Sequence, residues 1–284
     1  MRIGIILSFI FIVTTSVAQS YALVLNGAFV VLDGGTPAVP IYIVVDQSSF
    51  LGISRTSGHI ISEGDYNFVK WNTSSSTGPY VYPFGFSTTD YIPFTFEKIS
   101  GNNNFSASTN TSVTANTPLA NGVTDMIPSG PASDASNMVV DRWWRLQCEN
   151  CVTAPVSNLT FSYRGSENTI AGISCPAEDI ASQYWTGTAW AGPALAPGTP
   201  CVTSGIGTSL ASTVPAAVFS GAVSRPFVLV KKTNILPVEL LNFSARCNSE
   251  KVNLNWATAT EDNNDFFTID RSADAVNYQT LGFI

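Results

Sequence analysis

What most constrains this chain is its rhythm. Short runs rich in Val, Ile, Phe, Tyr and Thr recur between clusters of Gly, Pro, Asn and Ser, and helical spacing of apolar residues is nearly absent. Such runs read as strands separated by turns. They predict strands over Leu23–Leu32, Ile41–Val45, His59–Ile61, Asn67–Trp71, Tyr80–Phe84, Tyr91–Ile99 and Phe105–Val113. Further strands are expected over Val139–Gln147, Leu159–Tyr163, Ile180–Trp185, Val218–Phe219 and Phe227–Lys231. Strict alternation in Phe105–Val113 and Leu159–Tyr163 means one buried face and one wet face, as in an antiparallel sandwich. The expected class is therefore all-β: an antiparallel β-sandwich over residues 19–233, with room for a stacked layer of strands at its N-terminal end. Ala115–Asn137 and Gly192–Thr213 read as long loops, of the kind that are functional or mobile.

Charged residues make up only 12% of the chain, against 45% hydrophobic ones, and the formal charge is −7. Ser, Thr and Asn must therefore carry much of the surface. No basic patch is present, which argues against nucleic acid as a partner. A single histidine, His59, leaves no His-rich metal site, and beside Ile60 and Ile61 it reads as a hydrogen-bonded strand residue. No motif calls for a cofactor.

Met1-Arg2, the apolar run Ile3–Val13 and the small residues Ser16-Val17-Ala18 have the order of a secretory signal peptide, cleaved before Gln19. The run is short for a membrane span, and no later segment is apolar enough to provide one. Residues 1–18 are thus expected to engage the export machinery, and the mature chain to be secreted or held at the cell surface. Export makes the cysteines disulfide candidates. Glu149-Asn150 reads as the tip of a hairpin with Cys148 and Cys151 facing each other. Cys175 with Cys201 would close a loop worth roughly 3–4 kcal/mol in the chain-entropy model. Cys247 is left over.

Beyond Asn234–Pro237 the alternation sharpens. Leu241, Phe243 and Ala245 share one face of a first strand, Val252, Leu254 and Trp256 one face of a second, and Phe267 and Ile269 one face of a third. Leu236–Ala245 followed by Val252–Ser272 resembles the fibronectin type III-like segment of secreted Bacteroidota proteins, which typically precedes a type IX sorting domain there. Asp270 stands where that segment has an acidic residue before its arginine, and Asp274-Ala275 where it has an Asp-Gly turn. Only about 50 residues follow Pro237, roughly half of what a seven-stranded module needs. Residues 237–284 are therefore expected to be a partial fibronectin type III or immunoglobulin-like module. More loosely, Leu25–Val31, Ile61–Trp71, Tyr80–Gly85 and Val140–Trp144 are similar to the β-rich extracellular region that precedes this module in the same proteins. The resemblance implies a surface or released β-protein and carries no catalytic residues with it.

The densest cluster is Asp141-Arg-Trp-Trp-Arg145. Neighbours on a strand point to opposite faces, so Trp143 and Trp144 cannot serve the same core. One belongs to the core; the other covers an outer face or meets a sugar ring. Tyr184–Trp190 reads as a hairpin turning at Thr186–Ala189, with Trp185 and Trp190 on its arms. These four tryptophans are the candidate ligand-binding residues, for an extracellular glycan or a surface protein. Glu261–Asp265 has the oxygen count of a calcium loop but not its spacing, and reads as a turn. A glycosidase would need only two carboxylates, and Asp46, Glu63, Asp65, Asp125 and Asp141 are available. No serine-nucleophile or zinc-protease motif accompanies them. The expected function is non-catalytic: an adhesion, binding or spacer region of a larger exported polypeptide. The alternative is a carbohydrate-binding or glycan-processing protein whose catalytic part is missing or unrecognised.

Overall fold

The computed structural model describes residues 21–112, 116–126, 136–221, 224–232, 240–248, 251–258, 267–273 and 277–284. The signal-peptide segment, the boundary at Asn234–Pro237, Glu261–Asp265 and Asp274-Ala275 lie outside them, as does the side chain of Leu241. The chain is all-β, with helical structure confined to short 3₁₀ turns among the described residues. It divides after Lys231 into two compact units.

The first unit opens with stacked coils. Strands β1 (Leu23–Val31) and β2 (Ile41–Val45) form one coil, and β3 (Ile53–Ile61) and β4 (Asn67–Trp71) the next. Because the chain wraps round and returns in the same direction, β3 lies parallel to β1 and β4 parallel to β2. A stacked N-terminal layer is therefore present, and it is parallel where the rest of the unit is antiparallel. Leu25, Val45, Ile60 and Trp71 point inward and are buried. The Trp71 indole N–H donates to Gln47 O at 2.7 Å, which satisfies its polar end inside the core.

Next come β5 (Gly78–Tyr82), the small hairpin β6 (Gly85–Phe86) and β7 (Asp90–Tyr91), and then two long strands, β8 (Phe94–Thr111) and β9 (Val139–Arg164). The expected strands Tyr91–Ile99 and Phe105–Val113 thus merge over Phe94–Thr111, with Tyr91 in β7 and Val113 outside the described residues, and Val139–Gln147 and Leu159–Tyr163 merge in β9. The expected hairpin tip at Glu149-Asn150 is not a tip. From Glu149 to Thr153, β9 advances four residues while its partner advances two, from Asn104 to Asn102. The surplus forms an irregularity within the strand, with Asn150 at positive φ. Cys148 and Cys151 lie across it at disulfide distance, with Cα atoms 5.9 Å apart.

The remaining strands of this unit are β10 (Asp179–Trp185), β11 (Trp190–Pro200), β12 (Ile206–Val214) and β13 (Ser224–Lys231). One edge of β9 pairs with β13 along its first half and with β12 along its second. Since β13 pairs β10, β10 pairs β11 and β11 pairs β12, the sheet curls back onto its own longest strand. Gly192–Thr213 is therefore mostly strand, not loop. Its inward positions on β12 are small: Gly207, Ser209 and Ala211 are buried, and a Cβ on Gly207 would come within 2.3 Å of the Tyr163 ring. Val218–Phe219, expected as a strand, is instead part of a 3₁₀ turn over Ala216–Phe219. Cys175 and Cys201 lie at disulfide distance, with Cα atoms 5.1 Å apart.

The core is aromatic and continuous. Phe96 stacks on Phe105 with centroids 3.9 Å apart, and Phe161 meets both Phe94 and Trp144. Tyr82 is fully buried and donates its hydroxyl to Phe105 O at 2.8 Å.

The second unit consists of two hairpins. In one, β14 (Leu240–Asn248) pairs β15 (Lys251–Thr258); in the other, β16 (Thr268–Ser272) pairs β17 (Tyr278–Phe283). β14, β15 and β16 fall where the alternation placed strands and β17 is an additional one, yet no described residue of this unit is buried. Cys247 is exposed and free.

Candidate functional site

The Asp141–Arg145 cluster lies on the first half of β9, and alternation sends its side chains to two faces. Val140, Trp144 and Leu146 join the main aromatic core. Val139 and Trp143 face a second apolar cluster on the outer side of the sheet, with Trp185, Trp190, Val228 and Val230. The described part of the segment expected as a loop, residues 116–126, covers this outer face with Ala120, Val123 and Met126. Trp185 and Trp190 are direct cross-strand partners with centroids 5.4 Å apart, as the hairpin reading required. Trp143, Trp144, Trp185 and Trp190 are each no more than 4% exposed. In this structure none of the four presents an open indole face. The covering segment was not legible as a cover because its own apolar residues follow no period.

The arginines of the cluster are tied by the turn between β3 and β4. Arg142 is fully buried and donates to Glu63, Glu167 and Thr109. Burial pushes the Arg142 guanidinium down, but Glu63 and Glu167 outweigh this and raise it. Burial likewise pushes the Glu167 carboxyl up; the charge and hydrogen bonds of Arg142, with the backbone amide and guanidinium of Arg164, hold it below the usual carboxylate range. Two residues beyond Glu63, Asp65 accepts a bidentate pair from Arg145 at 3.0 and 2.9 Å and the Trp143 indole N–H at 3.0 Å. It also accepts the Asn121 amide, which fastens the covering segment to the seam.

The carboxylates singled out in the sequence are thus spread over separate tasks. Glu63 and Asp65 neutralise arginines, and Asp46 accepts from the Asn72 side chain at 2.8 Å. Asp125 accepts from Thr124 Oγ1, and Asp141 from Thr169 Oγ1 and the Asn116 amide. Glu167, which the sequence reading passed over, is the best-buried acid of the seam. The only sign of it was its place three residues after Arg164. Glu63 and Glu167 share Arg142, an arrangement that clamps the turn between β3 and β4 to β9. His59 is buried, with Nε2 2.7 Å from Ser87 O. Lys98 is buried; its ammonium donates to Thr73 Oγ1, Ser74 O and Asn103 O, and burial lowers its pKa to about 8. No group of His, Cys, Asp or Glu among the described residues is placed to hold a metal ion.

Open surface of a binding kind lies elsewhere. The second unit carries a groove of about 660 Å³ between its hairpins, lined by Phe243, Val252, Leu254, Trp256 and Ile269. Trp256 meets Phe267 edge to face at 5.7 Å. Apolar side chains are also exposed along the first coil, at Val24, Phe29, Tyr42 and Val44. No helix among the described residues is long and apolar enough to cross a membrane. No family model matches the chain, and no curated protein or solved structure does so either.

Proposed function

We propose that this chain is a non-catalytic secreted or cell-surface protein, acting as an adhesion, binding or spacer region of an exported polypeptide. The observation that carries this reading is the division of labour among its side chains. The arginines and carboxylates of the central seam are spent on one another, whereas most of the large apolar side chains left open lie between Tyr21 and Leu51 and on the second unit. A body held by internal ion pairs with apolar surface on display is built to be stable and to make contacts. Two cysteine pairs at disulfide distance support an oxidising compartment. The resemblance of Leu236–Ser272 to a segment that precedes a type IX sorting domain supports export by that route. The alternative, a carbohydrate-binding or glycan-processing protein, draws less support, because Trp143, Trp144, Trp185 and Trp190 are buried.

Fractionation of cells producing the full chain tests the reading. The expected result is surface or medium location, loss of residues 1–18 and protection of Cys148, Cys151, Cys175 and Cys201 from thiol alkylation. Full-length protein in the cytoplasm with all five thiols alkylated would overturn it.

A further inference from the structure

We propose that the free edge of the first coil, carried by β1 and β2, is a self-association surface that pairs edge to edge with the same coil of a second copy. Among the described residues, each of these strands uses one edge only, β1 against β3 and β2 against β4. In β2 the Ile41 amide donates to Tyr66 O, and Val45 O accepts the Asn72 amide. Alternation along a strand therefore turns the backbone N–H and C=O groups of Tyr42 and Val44 away from β4, toward the open side. Those groups ask for another strand.

Side chains on the same coil point to the same need. Leu23, Val30, Ile41 and Ile43 face the core but are only partly covered. A further coil laid on the edge would finish burying them. Among the described residues, nearly half of the exposed large apolar side chains lie between Tyr21 and Leu51. Concentrations of this kind mark interaction sites.

Natural edge strands are usually protected by a charge, a proline or a short length. β2 is short and β1 is irregular between Leu25 and Phe29, but neither contains a charge or a proline. Asp33, in the corner between them, is the only charged residue from Leu23 to Val45, in a chain of net charge −7. Copies of an acidic chain repel one another over most of their surface; on this edge they do not. The occupant must also follow a nine-residue strand, a corner and a five-residue strand. A second copy offers an edge with the same corner and the same lack of charge, and a two-fold axis through the corner would lay β1 of each copy antiparallel to β2 of the other.

Sedimentation of the full chain over roughly 1–100 µM protein, with amide exchange at low and high concentration, tests this. The expected result is a reversible shift to twice the monomer mass, with slower exchange at Tyr42 and Val44 as concentration rises. Val44→Lys and Val24→Lys place a charge on the paired edge of each copy, and each is expected to weaken association by at least about tenfold. Both side chains are exposed, and unchanged exchange in β8 and β9 shows that a variant is folded. If one variant misfolds, the other decides. A wild-type chain monomeric throughout overturns the proposal. So does association that survives both lysines and disappears in Phe243→Lys, which assigns it to the groove of the second unit.

Discussion

The two units follow the same strand rule and end in opposite states. In the first, alternation on β9 gives each face something to meet: the aromatic core on one side, and the second apolar cluster with its covering segment on the other. In the second, Phe243, Ala245, Val252, Leu254 and Trp256 alternate as regularly, yet Phe243 and Val252 are each 58% exposed. Period-two patterning specifies which side chains share a face. It does not supply the layer that covers that face. Burial, with the stability it brings, comes from the second layer.

The largest difference this comparison predicts is in amide exchange within the intact chain. Amides of β8, β9 and β13 are expected to exchange only through global opening, and those of β14–β17 through local opening, faster by several orders of magnitude. Equal protection in the two units would show that the second is stabilised by something its own strands do not provide.

Matched truncations sharpen the contrast at single residues. Trp144→Ala removes a fully buried ring and is expected to cost about 3–5 kcal/mol in urea unfolding. Phe243→Ala, at a more exposed aromatic, is expected to stay within about 0.5 kcal/mol. A cost at Phe243 near that at Trp144 would mean that its face is covered in solution.

The arginine seam ranks next. Glu167→Gln leaves Arg142 with Glu63 as its remaining acid, and losses from breaking a buried pair run to about 3–5 kcal/mol. The wild-type Glu167 pKa is below its unfolded value, so its contribution is complete above about pH 4.5 and is lost as pH falls through the folded value. The gap between wild type and variant should therefore be widest near neutrality and narrow in acid. A gap independent of pH would place the cost in packing alone.

The smallest effect expected is at Lys98. Its folded pKa of about 8 lies below the ordinary lysine value of 10.5, so between these limits the unfolded chain holds the proton more often. Wild-type stability relative to Lys98→Met should thus rise from pH 8 to 10.5 and level off beyond. Taking the difference removes the opposing loss from Tyr80, whose pKa burial raises to about 12. A flat difference curve would show that the amine is solvated.

Much of the first unit was legible in the sequence for particular reasons. Ile41–Val45 and Asn67–Trp71 have the predicted bounds because each is apolar or aromatic and closed by a turn. Where the sequence misled, side-chain size was the cause. The inner face of β12 is Gly207, Ser209 and Ala211, small because the Tyr163 ring fills the space, and hydropathy cannot see a core face made of small residues. At Cys148–Cys151 the spacing fits a hairpin and an irregularity within a strand equally well; only the pairing of β8 with residues on both sides of it decides. For the seam, Glu63 and Asp65 were visible as carboxylates, but their partners on β9 lie about 80 residues away. Nothing local could match them.

One consequence of the 26-residue β9 concerns the order of assembly. Every strand of the curled part is bonded to β9 or to a strand that is. Before β9 is in place, β12 and β13 have no common template, and bringing them together would mean closing long loops against entropy with little return. Once β8 and β9 have paired, each later strand docks on an edge already formed. Both precede β10–β13 in the chain, so a polypeptide emerging from its N-terminus presents the template before the strands that need it.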